Sequence, residues 1–245
     1  GIRQGKVARP ERAIMFEGFT LNKLIIQIST LLFAVTIHEV AHGWVAWRLG
    51  DPTAKWAGRL TLNPMKHLDP MGSLILPLML VLLRSPIIFG YAKPVPVNFR
   101  NLRKHPRDTI LVSLAGVSAN LLCALVCGFG AQVLLGLRFL WVSPLLSGFT
   151  VDLFLILAYS VVISTVLAVF NLIPIPPLDG SKVLSVLIPR RYALTYAGIE
   201  RYGMLILFFL LFTGTLNGVI SFFLNPALHF LMGSEGISIF FRHVM

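Results

Sequence analysis

Long apolar runs joined by short polar connections dominate the chain. A helix needs about 20 mostly apolar residues to cross a bilayer. Four stretches meet that length: 24–47, 110–136, 151–173 and 202–224. A fifth, 71–90, carries Pro77, Arg84 and Pro86, and proline and charge both weaken a span. A last apolar piece, 226–241, is interrupted by Gly233, Ser234, Glu235 and Gly236 and is expected at the membrane interface. The longest polar connections are 48–70 and 91–109. The second opens with alternating residues and prolines (YAKPVPVN), the pattern of an edge strand or extended segment, and then turns strongly basic. This pattern predicts an all-α polytopic membrane protein, a bundle of about four to six transmembrane helices with a small membrane-associated β-strand element. A single domain over 22–245 is expected, preceded by a flexible basic arm over 1–21.

Composition agrees. Hydrophobic residues make up 56% of the 245 and charged residues 13%, against roughly 45–50% and 25% in an ordinary globular domain. A soluble domain and a disordered chain are both excluded, and two cysteines cannot staple such a length. The net charge of +11 fits basic loops meeting anionic lipid on the cytoplasmic side. Those basic residues lie between apolar runs and form no stripe on a polar face, which argues against nucleic acid and for the lipid bilayer as partner.

Candidate chemistry sits inside the first run, at His38-Glu39-Val40-Ala41-His42. Positions i and i+4 of a helix share a face, so both imidazoles can address one metal ion, with Glu39 beside them to take a proton from water there. Ionisable groups within a span cost some 2.5–3.5 kcal/mol each on insertion scales and by default mark function. Two histidines leave a catalytic zinc site one protein ligand short. Among the other acids Asp179 stands out, in Asn171-Leu172-Ile173-Pro174-Ile175-Pro176-Pro177-Leu178-Asp179-Gly180. The prolines stop the preceding helix, and irregular backbone at membrane depth is tolerated only beside protein or a wet cavity. A carboxylate there suits metal binding; a plain turn aspartate before glycine is the alternative.

The HEVAH motif inside a span, followed much later by NLIPIPPLDG, resembles the site-2 protease family of intramembrane zinc metalloproteases. The resemblance covers the chain from about residue 22 and extends to GDPTAKWAGRLTLNP (50–64), FGYAKPVPVN (89–98) and Gly116-Val117-Ser118-Ala119-Asn120. It is similar to the compact prokaryotic branch without PDZ or CBS domains. In the last segment the family usually carries proline where Val117 stands. The resemblance implies His38, His42 and Asp179 as ligands of Zn2+ and Glu39 as general base. Asn120 and Asn171 would hold the substrate backbone or the oxyanion, with interhelical hydrogen bonding as the other reading. The YAKPVPVN stretch would pair with an unwound substrate. The implied partner is a transmembrane protein substrate, cleaved within the membrane by regulated intramembrane proteolysis.

A depth constraint follows. HEVAH lies past the midpoint of its span and Asp179 just beyond the end of another, so the two spans must run in the same direction. An odd number of crossings separates them; 110–136 supplies one, so 71–90 is expected to be re-entrant or interfacial. With 48–109 and 174–201 in the cytoplasm, that side holds 14 basic residues and the other 7, which places the metal site toward the cytoplasmic face of a cell membrane, with the N-terminus outside. Two other readings stay open. A membrane zincin of the prenyl-protein-processing kind needs a downstream glutamate ligand, for which only Glu200 is a candidate. A non-proteolytic metal-binding membrane protein or transporter would hold zinc without turnover, although no inverted repeat is visible.

Overall fold

A computed structural model describes residues 21–75, 79, 82 and 92–244. Nine helices are labelled in chain order among them: α1 (Leu21–Arg48), α2 (Thr53–Trp56), α3 (Arg107–Gly136), α4 (Arg138–Val142), α5 (Ser147–Leu172), α6 (Asp179–Leu187), α7 (Arg190–Ile199), α8 (Gly203–Phe212) and α9 (Thr215–Val244). Helices α1, α3, α5 and α9 are long and apolar enough to cross a membrane. The protein is a multi-pass membrane protein. Residues 1–20 of the expected arm, and most of 71–90, lie outside the described residues.

The core forms where α3, α5 and α9 meet, around Phe154, Val161, Ala131 and Met232. Small residues on α3 (Ala124, Gly128, Ala131) are buried and let its backbone approach its neighbours, as helices in lipid must when hydrophobicity alone gives no drive to associate. Outward faces carry Phe129, Phe222 and Phe230, each more than 70% exposed. Such surface would be a liability in water; here it is the lipid contact.

Side-chain pairs set the helix directions. Asn22 Nδ2 donates to Asp152 Oδ1 at 2.8 Å and Gln27 Nε2 to the Tyr159 hydroxyl at 2.7 Å. Farther along, His38 meets Asp179, just past the end of α5. Helices α1 and α5 therefore run parallel. Helix α3 runs against both, since His42 pairs with Val112 and His38 with Asn120. The Arg103 N–H donates to the Leu49 carbonyl, so the chain leaves α1 and enters α3 at the same end of the bundle. The parallel course of α1 and α5 is the one the depth constraint requires.

Two expectations are corrected. The apolar run 202–224 is not one span. It breaks after α8 at Thr213 and Gly214, where Gly214 takes φ 74°, a left-handed conformation that ends the helix. The spanning candidate is α9 instead, and it takes in 226–241. Helix α9 bends at Gly233 (φ 67°). The bend frees carbonyls of the preceding turn, and Gln132 Nε2 donates to those of Phe230 and Leu231 at 3.1 and 2.9 Å. Arg138 and Glu235 pair just beyond it.

The expected β-strand element is also absent among the described residues. Residues 92–98 run extended without a partner strand. Pro94 and Pro96 bring no N–H, and three of the segment's other amides bond elsewhere than to a strand. The Lys93 N–H donates to the His67 carbonyl at 2.9 Å, the Val95 N–H to Glu39 Oε2 at 2.7 Å and the Asn98 N–H to Asp51 Oδ2 at 2.7 Å.

Candidate metal centre

Helix α1 carries both histidines on the face turned toward α3 and α5, 6% and 8% exposed. Asp179 reaches them because of how α5 ends. Three prolines prevent the helix from continuing past Leu172, and the chain turns through Ile173–Leu178 before α6 starts at Asp179. Glycine at 180 is required there, since a Cβ would stand 2.2 Å from the Leu172 carbonyl oxygen. Asp179 thus occupies the first turn of a helix, where a negative charge is favoured.

The three ligand atoms form a tight triangle. His38 Nε2 lies 3.1 Å from Asp179 Oδ2, His42 Nε2 lies 2.9 Å from the same oxygen, and the two Nε2 atoms are 3.0 Å apart. Ligands bound tetrahedrally at about 2.0–2.1 Å stand about 3.4 Å from one another. The triangle is therefore a few tenths of an ångström tighter than a zinc site.

The surroundings fit a cation as well. The Val112 carbonyl, 2.7 Å from His42 Nδ1, can only accept, so Nδ1 carries the proton and Nε2 turns its lone pair inward. Lys182 Nζ donates to Asp179 Oδ1 at 2.9 Å and leaves Oδ2 to the triangle. Burial would raise the Asp179 pKa; the two imidazoles and the Lys182 ammonium outweigh it and hold the carboxyl well below its ordinary range. Gly116 of α3 lies against the triangle. A Cβ there would stand 2.5 Å from His42 Nε2 and 2.6 Å from His38 Nε2. The missing side chain is space an ion and its fourth ligand can use.

Glu39 is partly exposed beside the histidines, its Oε2 held by the Val95 N–H. It lines a cavity of about 350 Å³ together with the candidate ligands His38, His42 and Asp179, with Asn171, Lys182 and the extended segment. That segment is fastened at both ends. Arg59 Nη2 donates to the Lys93 carbonyl at 2.7 Å. At the other end the fully buried Asp51 accepts from the Asn98 N–H and from Asn101 Nδ2 (2.8 Å), besides the Thr53 hydroxyl and N–H.

Of the residues singled out in the sequence, His38, His42 and Asp179 come together, with Glu39 and Asn171 on the cavity wall. Asn171 Nδ2 donates back to the Leu167 carbonyl. Asn120 is fully buried behind His38 and is not on that wall. Sequence reasoning missed Gly116, Lys182 and the Val95 amide. Lys182 carried a usable signal, a lysine three residues after an aspartate at a helix start. The other two carried none, because both act through backbone position.

Comparison with known proteins gives consistent results. Residues 26–214 match Peptidase family M50, a match that ends at the break between α8 and α9. The chain is 37% identical over 202 residues to a Bacillus subtilis protein named "Putative zinc metalloprotease YwhC", covering 82% of this chain and 86% of that one. It is 33% identical over 193 residues to "Putative zinc metalloprotease Rip2" of Mycolicibacterium smegmatis, covering 79% and 69%. The Rip2 of Mycobacterium tuberculosis strain H37Rv is 30% identical over 196 residues, with the same coverage. No solved structure matches.

Proposed function

The chain belongs to peptidase family M50, and on that premise we propose that it is a zinc-dependent intramembrane endopeptidase that cleaves transmembrane helices of membrane-protein substrates. It is a metallopeptidase of the site-2 protease type. The observation that carries the finer reading is the buried triangle of His38, His42 and Asp179, beside a carboxylate and a cavity, on helices long enough to lie in lipid.

His38, His42 and Asp179 would hold the zinc, with Lys182 fixing which Asp179 oxygen faces it. When bound, zinc supplies Lewis acidity, polarising the peptide carbonyl and acidifying water. Glu39 takes the proton from the attacking water and delivers it to the leaving amine. Its Val95 partner keeps the carboxylate from swinging away. Asn171 faces the cavity, its Oδ1 has no hydrogen bond among the described residues, and it is suited to bind a substrate peptide group.

A helical substrate hides its peptide groups in its own hydrogen bonds, so it must unwind locally to be cut. The extended segment supports that step even without a partner strand. Val97 lines the cavity, and its N–H has no hydrogen bond among the described residues, which leaves it free to pair with an opened substrate backbone. The basic loops lie at the end of the bundle where the triangle sits. Their charge supports a metal site toward the cytoplasmic face of a cell membrane.

The test is a pair of measurements on Glu39→Gln in detergent. Cleavage of helical membrane substrates should fall by about 100- to 10,000-fold while zinc content stays at the wild-type level. Undiminished cleavage would overturn the mechanism. A zinc-loaded wild type inert against a broad substrate panel would favour a metal-binding membrane protein without turnover.

A further inference from the structure

Val112, Gly116 and Asn120 are spaced four residues apart and form one stripe on α3. Each faces the histidine pair. Val112 contributes a carbonyl oxygen to His42 Nδ1, and Gly116 contributes the space beside both Nε2 atoms. Asn120 stands 3.2 Å from His38 Nδ1 through its Nδ2 atom, while its Oδ1 is buried without a hydrogen-bond partner among the described residues.

That orientation contradicts what His38 has to do. An amide N–H donating to Nδ1 would leave the imidazole proton on Nε2, which points into the triangle and could not bind a metal. The two ends of an amide have the same shape, and only the hydrogen-bond pattern tells them apart. The end now lacking a partner is the oxygen, the atom an Nδ1–H needs.

We propose that Asn120 presents Oδ1 to His38 and accepts its Nδ1–H, so that it is a positioning residue fixing His38 in the metal-binding tautomer. Helix α3 then supplies both outer partners of the histidine pair, a main-chain carbonyl for His42 and a side-chain carbonyl for His38. This assignment rests on the metal site proposed above, and it takes Asn120 away from substrate contact. Such outer partners fix ring orientation and raise ligand basicity, and losing one typically costs 10- to 100-fold in metal affinity.

The experiment measures zinc affinity of the full chain in detergent by competition with a chromophoric chelator, together with KM and kcat. Asn120→Leu should lose 10- to 100-fold in zinc affinity. Asn120→Asp should keep it, because a carboxylate accepts the Nδ1–H and donates nothing. If the leucine variant does not fold, the aspartate variant decides alone. Zinc affinity reduced tenfold or more in Asn120→Asp would mean that the amide donates, and would overturn the proposal. So would a leucine variant with wild-type zinc affinity and only a raised KM, the signature of substrate contact. Wild type and Asp179→Ala are measured alongside. Wild type that binds no zinc, or Asp179→Ala that binds it as tightly as wild type, would be a failure of the metal site itself and not of the Asn120 assignment.

Discussion

Substituting Gly116 with alanine tests whether the space beside the histidines belongs to the metal. The added Cβ would lie 2.5 and 2.6 Å from the two Nε2 atoms, whereas comfortable packing distances begin near 3.5 Å. Each imidazole must therefore retreat by about 1 Å, several times the tolerance of about 0.2 Å on metal–ligand distances. Without metal the rings are held by their hydrogen bonds to Val112 and Asn120 and can shift by weakening these; with metal they are pinned at Nε2 as well, so the strain falls mainly on the loaded state. Overpacking of this kind costs about 1–3 kcal/mol, equivalent to roughly a fivefold to 150-fold loss of zinc affinity. The assay is chelator competition on purified protein, with circular dichroism confirming unchanged helix content. A Gly116→Ala protein that binds zinc as tightly as wild type would refute the placement of the ion.

Three further outcomes are expected. Asp179→Ala should leave two ligands and lose zinc on purification, measured by metal analysis. Val95→Pro removes the N–H that holds Glu39 and should lower kcat about tenfold or more, as the loss of a hydrogen bond to a charged group does, with zinc content unchanged. Burial would raise the Asp51 pKa, but the Thr53 hydroxyl, Asn101 and the amides of Asn98 and Thr53 outweigh it and lower it. Its stabilising effect is then full above the unfolded value of about 3.9 and is lost as pH falls through the lower folded value. A thermal melt followed below pH 4 should show that loss in wild type, and Asp51→Asn should blunt it while being less stable at neutral pH.

Much of the site was legible because its chemistry is expensive in lipid. A histidine pair and a glutamate within one span, and a carboxylate after a run of prolines, stand out against an apolar background. The parallel course of α1 and α5 followed from ligand depth alone. The break at Thr213 and Gly214 did not, because hydropathy is continuous across it and a single left-handed glycine leaves no trace in an average. Alternation reads the extended segment as a strand, but three of its amides bond to Glu39, His67 and Asp51, none of them a neighbouring strand. Gly116 and Asn120 could be noticed as residues, yet their roles depend on α3 passing within contact distance of α1, which no local pattern encodes.

His38 and Asp179 are separated by 141 positions along the chain. At synthesis rates of about 5–20 residues per second, some 7 to 28 s pass between the emergence of one and the other. With His38, His42 and Asp179 as the proposed ligands, a nascent polypeptide holding only the histidine pair would lack the third of them and could not yet hold the ion as the full chain does. On the proposed ligand set, peptidase activity would begin only when the ribosome has delivered the aspartate, a delay built into the order of the helices.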